Sequence, residues 1–274
     1  MLTPLAKRYD HFLLGLEGCV WVADRPTPRA AEAVAALRAA GKHVAFLTGD
    51  PRPSGEDVVR KLWGMGFRAA VREVVTVGGA LQFALAGRRW RTALVIGSPA
   101  LHRHVEDAGL RILNNSDLAT RADVVVVGAH DRFDYAELRA ATQALLRGAA
   151  LVGADRAPTI AEADGRWPGT GALLAALETA TGTTAATVGK PDPQLFLTAL
   201  DRLGDGRALV VGDRVDLDVA AAHAAGLDVA LVLTGDATAH EATAAMAAEQ
   251  RPVAVADTLG DLLLGAGPGA GARV

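Results

Sequence analysis

Four short stretches of the chain carry side chains that could work together on a charged oxygen group. They are Gly15-Leu16-Glu17-Gly18, Thr48-Gly49-Asp50, Gly189-Lys190-Pro191 and Gly212-Asp213-Arg214-Val215-Asp216-Leu217-Asp218. Between them they offer a small hydroxyl, a lysine and several carboxylates. Carboxylate oxygens suit a hard cation such as magnesium, while a lysine and a hydroxyl neutralise phosphate oxygens. The chemistry this set points to is the binding or transfer of a phosphoryl group, provided the four stretches meet.

What would bring them together is a parallel sheet. In doubly wound α/β proteins, ligands sit outside the carboxyl ends of the strands, and three of the four stretches follow short apolar runs. The run Phe12-Leu13-Leu14 leads into Gly15. Next, Thr27-Pro28 supplies a helix N-cap and a proline at the first helical position, Ala30, Val34 and Leu37 recur at helical spacing, and Gly41 ends the pattern. A strand over 43–48 completes a βαβ unit. Ser54 with Asp57 reads as the capping box of a second helix. The alternation resumes over 208–211, a helix ending at Gly226, and strands over 229–233 and 253–256. The expected fold class is α/β, a Rossmann-like doubly wound parallel sheet.

Between Gly79 and Gly182 the chain has strands and helices of its own, with strands expected over 93–96, 124–127 and 150–152 and a capping box at Asp134 and Glu137. This segment reads as an inserted α/β domain. The expected division is a core of 1–78 and 186–264, an insertion of 79–185, and a glycine-rich, frayed tail of 265–274.

Composition narrows the class of function. Of the 274 residues 50% are hydrophobic and 22% charged, ample for a core, and the net charge of −3 comes from 28 basic and 31 acidic residues spread along the chain. No basic face for nucleic acid follows from that pattern. Cys19 is the single cysteine, which excludes an intramolecular disulfide. No apolar run approaches the ~20 residues of a membrane span, nor does the N-terminus carry a long apolar leader. A cytoplasmic protein without membrane or nucleic-acid partners is expected.

At its four motifs the sequence resembles the haloacid dehalogenase superfamily, in particular the p-nitrophenylphosphatase-like branch (subfamily IIA), which carries a large α/β cap between its second and third motifs. The resemblance runs from about Phe12 to Leu264. It rests on Val20-Trp21 through Asp24-Arg25-Pro26 to Pro28, and on the cap's Trp167-Pro168-Gly169-Thr170-Gly171 and Glu178 through Gly182. Gly189-Lys190-Pro191-Asp192-Pro193 and Gly212-Asp213-Arg214 complete it. That branch implies a magnesium-dependent phosphatase of small phosphoesters, with a homodimer through the cap.

The same alignment places the family's Asp-x-Asp-Gly on Gly15-Leu16-Glu17-Gly18. In the family the first aspartate attacks phosphorus and ligates magnesium, and the second protonates the leaving group. Gly15 does neither. Glu17 keeps a carboxylate but is one methylene longer, a displacement of about 1 Å that costs about 10²-fold on position alone. The family's Thr-Asn-Asn becomes Thr48-Gly49-Asp50, which keeps the hydroxyl for phosphate but adds a charge at Asp50. Leu217 replaces a threonine, and the cap's Asn-x-Asp loop becomes Asp155-Arg156-Ala157, leaving Asp155 and Arg156 as the cap residues nearest a substrate.

What the resemblance implies for the site is therefore a lost nucleophile at Gly15, phosphate contacts from Thr48, Gly49 and Lys190, and metal contacts from Asp213, Asp218 and Glu17. Magnesium binding is expected to be weakened by the missing first aspartate. Glu17 is alternatively a structural partner of Lys190, and Asp50 a poorly placed substitute nucleophile. Asp213 and Asp218 can equally cap the helix that follows them. Three functions stay open. One is a pseudo-phosphatase that binds a phosphorylated small molecule, another is a working phosphatase using a substitute carboxylate, and the last is a structural homodimer.

Overall fold

The computed structural model describes residues 1–162, 164–247 and 251–265. The tail expected over 265–274 lies, apart from Gly265, outside the described residues. The chain divides into two compact units. One comprises 1–48, 56–75 and 196 onward, the other 49–55 and 76–195.

The first unit is built on a six-stranded sheet. Its spatial order is Ala254–Ala256, Asp228–Val232, Ala208–Gly212, His11–Gly15, His43–Thr48 and Val74–Thr76. The pairings from Ala254–Ala256 across to His43–Thr48 are parallel. Every residue of His11–Gly15 and of Ala208–Gly212 is buried, as expected of strands covered by helices on both faces. Alternate residues Phe12 and Leu14, Val44 and Phe46, Leu209 and Val211 join one cluster with Val34 and Leu37 of helix Ala30–Ala39 and with Leu259, Leu262 and Leu263 of helix Leu259–Leu264. Each such side chain contributes roughly 1.5–3 kcal/mol by leaving water.

The order matters for function because the chain reverses direction across the sheet at its middle. Strand His11–Gly15 lies between His43–Thr48 and Ala208–Gly212, with Gly15 opposite Leu47 and Leu14 opposite Val211. The carboxyl ends carrying Gly15, Thr48 and Gly212 therefore stand side by side, at the switch point where such sheets open a crevice.

The helix after the first strand starts later than its sequence suggests. Thr27 is not its N-cap: the helix begins at Ala30, with Arg29 in the left-handed region at φ 58°. The Thr27 hydroxyl instead donates to the Cys19 carbonyl at 2.7 Å, tying down the loop that leaves the first motif. A local bond to a neighbouring turn has outcompeted the cap.

The second unit holds a five-stranded parallel sheet in the order Ala186–Thr187, Ala150–Gly153, Val124–Val127, Thr92–Ile96 and Arg111–Ile112. Its core packs Leu94, Ile96, Val125, Val127 and Leu151 against Leu145, Leu174 and Leu177. The capping box forms as read: Asp134 Oδ1 accepts from the Glu137 amide at 2.9 Å, and the Glu137 carboxylate accepts from the Asp134 amide at 3.2 Å. An antiparallel pair of strands, Thr159–Glu162 and Gly165–Pro168, completes this unit. Among the described residues no helix is long and apolar enough to cross a membrane.

Candidate functional site

Gly15 ends the central strand, and its backbone is not what demands a glycine. A Cβ added there stands 3.4 Å from the Val211 carbonyl, 3.7 Å from Gly212 Cα and 3.8 Å from Cys19 Cβ, all ordinary contact distances. Its φ lies outside the left-handed region. The position has room for a side chain and lacks one.

Two residues on, the chain turns through Gly18 at φ 75°. The Glu17 side chain reaches across to the neighbouring strand, where the Thr48 hydroxyl donates to Oε1 at 3.0 Å and Oε2 at 3.2 Å. Thr48 is buried, and Glu17 is exposed.

The fourth motif is held by its own backbone. Strand Ala208–Gly212 delivers Asp213, which is 8% exposed, and its Oδ2 accepts from the Asp236 amide at 2.9 Å. A Cβ on Gly18 would stand 2.1 Å from that oxygen, and one on Gly235 would stand 2.0 Å away, so glycine backbone walls the carboxylate on two sides. The Thr234 hydroxyl donates to the Gly18 carbonyl at 2.5 Å, joining those two walls. Asp218, 1% exposed, lies within a single wide π-type turn over Val215–Val219, and its Oδ2 accepts from the amides of Asp213 at 3.1 Å and Arg214 at 3.0 Å. Such turns recur at functional sites. The helix itself, Ala220–Ala224, starts after Asp218. Arg214 clasps Asp216 at 3.1 and 2.7 Å, and that pairing raises its already high pKa.

The side-chain oxygens at hand for a magnesium ion are partly committed to the backbone. Gly15 supplies no side-chain oxygen, one oxygen of Asp213 is engaged by the Asp236 amide, and one oxygen of Asp218 is engaged by two amides. Among the described residues, no three His, Cys, Asp or Glu side chains are grouped to hold an ion.

The second unit carries the rest of the sequence candidates. Asp50 is clasped by Arg52, with Nε to Oδ1 at 2.9 Å, Nη2 to Oδ2 at 2.7 Å and the Arg52 amide to Oδ1 at 2.9 Å. The charge that sequence reading assigned to Asp50 is thus neutralised two residues away. Arg52 Nη1 also donates to Glu162 at 2.6 Å. Asp155, 8% exposed, accepts from the Ala157 amide at 2.7 Å and the Thr170 hydroxyl at 2.9 Å. Burial pushes its carboxyl up to about 6, with Asp50 adding to the rise and Lys190 opposing it. Arg156 turns to Glu178 at 2.9 Å and the Ala185 carbonyl at 2.7 Å, bracing helix Thr170–Thr181. Gly49 has open space around it. The Gly189 amide donates to the Ala154 carbonyl at 2.7 Å, fixing the chain just before Lys190.

Arg52 and Glu162 were not singled out from sequence, and Thr170 entered only as part of a cap motif, without a role. An arginine two positions after an aspartate, across a proline, was the available signal for Arg52. Glu162 and Thr170 are brought in by tertiary structure, and no spacing announces them.

Comparison with known proteins accords with this geometry. Residues 12–111 match the family model described as haloacid dehalogenase-like hydrolase, and residues 187–262 match a HAD-hydrolase-like model. The chain is 36% identical over 244 residues to the D-glycerol 3-phosphate phosphatase of Mycobacterium tuberculosis, covering 88% of this chain and 67% of that protein. It is 32% identical over 265 residues to chronophin of Homo sapiens, covering 91% and 89%. Among solved structures, the M. tuberculosis glycerol phosphate phosphatase in complex with magnesium superposes with a TM-score of 0.87 at 34% identity, covering 96% of this chain and 79% of that one. With both halves of the core matched and the relatives aligned over most of its length, the chain belongs to the haloacid dehalogenase-like hydrolase family.

Proposed function

We propose that this protein binds a phosphorylated small molecule on the phosphatase fold and has lost covalent hydrolysis. The observation that carries the reading is Gly15: the strand end where the family places its nucleophile has room for a side chain and bears none. Losing a nucleophile in another hydrolase costs on the order of 10⁶-fold in rate, or ~8 kcal/mol of barrier. Neither Glu17 nor Asp50 is a ready substitute, since Glu17 is engaged by Thr48 and Asp50 by Arg52.

Thr48, Gly49 and Lys190 are the proposed phosphate contacts, assigned by their motifs. Divalent-metal binding at Asp213, Asp218 and Glu17 is proposed to be weak, because the first-motif oxygen is missing, and no step of this reading passes through a metal. The insertion over 79–185 serves as the cap, with Asp155 at its substrate loop. Self-association through the cap is supported by the exposed Phe83 and Leu146. A cytoplasmic setting fits the single, buried cysteine.

The relatives favour a second reading, a working magnesium-dependent phosphatase, since one is named a D-glycerol 3-phosphate phosphatase and a structure of it holds magnesium. Calorimetric titration with glycerol 3-phosphate, run beside a magnesium-supplemented turnover assay, separates the readings. Binding without turnover is expected. Turnover at an ordinary enzymatic rate hands the function to the second reading, and neither binding nor turnover leaves a structural homodimer.

A further inference from the structure

Arg52 stands at the meeting of three carboxylates. Its Nε and Nη2 hold Asp50 in a two-pronged grip, Nη1 lies 2.6 Å from Glu162, and the same nitrogen is 3.6 Å from Asp131. Three separate elements supply these partners: the loop after strand His43–Thr48, strand Thr159–Glu162, and the loop after strand Val124–Val127. The loop carrying Arg52 is itself anchored, since the Ser98 hydroxyl donates to the Pro51 carbonyl at 3.1 Å. Planar, bidentate pairing of this kind is the strongest form an ion pair takes.

Where the family's second motif ends in a neutral asparagine, this chain has Asp50. Left alone, that carboxylate would repel an arriving anion. We propose that Arg52 is a positioning residue for the second motif: it pairs with the Asp50 carboxylate and fastens the loop to strand Thr159–Glu162, so that Asp50 repels an arriving phosphoryl group less. The inference rests on the anion-binding reading given above and adds to it the residue that makes that reading compatible with Asp50. Arg52 acts through Asp50 and is assigned no contact with the ligand.

The same arrangement reaches Asp155. Its carboxyl feels Asp50 and Lys190, and it is hydrogen-bonded by Thr170 and the Ala157 amide. Asp131 and Glu162 complete the charged groups around Arg52. Removing the guanidinium leaves the Asp50 charge uncompensated, which shifts the Asp155 titration upward whether or not any ligand binds.

The test uses the full chain and two readouts. Inorganic phosphate affinity is measured by calorimetry, and the Asp155 midpoint by carboxyl-carbon NMR, for the native protein, Arg52→Gln, Asp50→Asn and the double variant. Arg52→Gln is expected to weaken phosphate binding about tenfold and to raise the Asp155 midpoint. Asp50→Asn in the Arg52→Gln background is expected to recover much of both changes, because it removes the charge that Arg52 grips with two prongs. A loss in Arg52→Gln that the double variant fails to recover overturns the proposal, since the role is then one of packing. So does native-like phosphate affinity in Arg52→Gln. If the native chain binds no phosphate, the anion-site reading fails on that result alone. An unmoved Asp155 midpoint in Arg52→Gln then overturns the role of Arg52, and a rise reversed by Asp50→Asn upholds the charge coupling.

Discussion

The Thr48 hydroxyl is shared between both oxygens of the Glu17 carboxylate, at 3.0 and 3.2 Å. That hydroxyl is the group the second motif offers to phosphate, so a carboxylate from the first motif already uses the donor an incoming anion needs. The extra methylene of glutamate gives the side chain its reach. Replacing Glu17 by Ala frees the donor and removes a like charge, and phosphate affinity should rise by about tenfold, equivalent to ~1.4 kcal/mol. Thr48→Ala should lower it. Calorimetric titration with inorganic phosphate checks both directions.

Asp155 should make stability depend on pH. Its folded-state value of about 6 lies above the ordinary carboxylate range, so the folded protein holds this proton more tightly than the unfolded chain does. Stability from this group is greatest below pH ~4 and falls as pH rises through 6, by about 3 kcal/mol in total. Asp155→Asn keeps an oxygen for the Ala157 amide and turns its Nδ2 to the Thr170 oxygen, without a charge to bury. The variant should therefore melt above the native protein at pH 7 to 8, with the difference shrinking below pH 4. Melting curves across that range decide it.

The walls around Asp213 are predicted to tolerate no side chain. Gly18→Ala meets the Asp213 carboxylate and must also hold φ 75°, a conformation that costs an alanine roughly 1–2 kcal/mol. Destabilisation beyond ~1 kcal/mol in urea unfolding is expected, whereas Gly49→Ala, with open space around it, should change stability by no more than ~0.5 kcal/mol.

Much of this was legible in the sequence, for identifiable reasons. The parallel sheet showed itself because strands such as His11–Gly15 and Val124–Val127 are apolar throughout, and its topology follows from the alternation with helices. Gly15 was singled out because the first-motif flank through Val20-Trp21 and Pro26 sets the alignment around it, and the residue ends the central strand. The Asp134 and Glu137 capping box formed because both partners lie within one helical turn. Thr27 misled because a hydroxyl before a helix has several backbone acceptors in reach, and here the Cys19 carbonyl won. Arg52 illustrates what spacing does not encode. Its contact with Asp50 is local, but Glu162 lies 110 residues away and is brought near only by the folding of the second unit.

Asp218 separates a structural from a metal-binding role. Its carboxylate satisfies two amides at the strand end, so Asp218→Ala should cost about 1–3 kcal/mol by leaving buried donors unmet. That loss should appear in unfolding measurements made in chelator. If the cost appears only when magnesium is added, its main work is on a cation.

Turnover by a Gly15→Asp, Glu17→Asp double variant tests the central claim most directly. The backbone at Gly15 accepts a Cβ at ordinary contact distances, so the first carbon of an aspartate meets no clash there. Measured with magnesium on glycerol 3-phosphate and p-nitrophenyl phosphate, the native protein should show no turnover above background. The double variant should gain a rate at least 10³-fold higher, about 4 kcal/mol of the barrier. Ordinary turnover by the native protein, undiminished when Glu17 and Asp50 are kept, would contradict the loss of covalent catalysis.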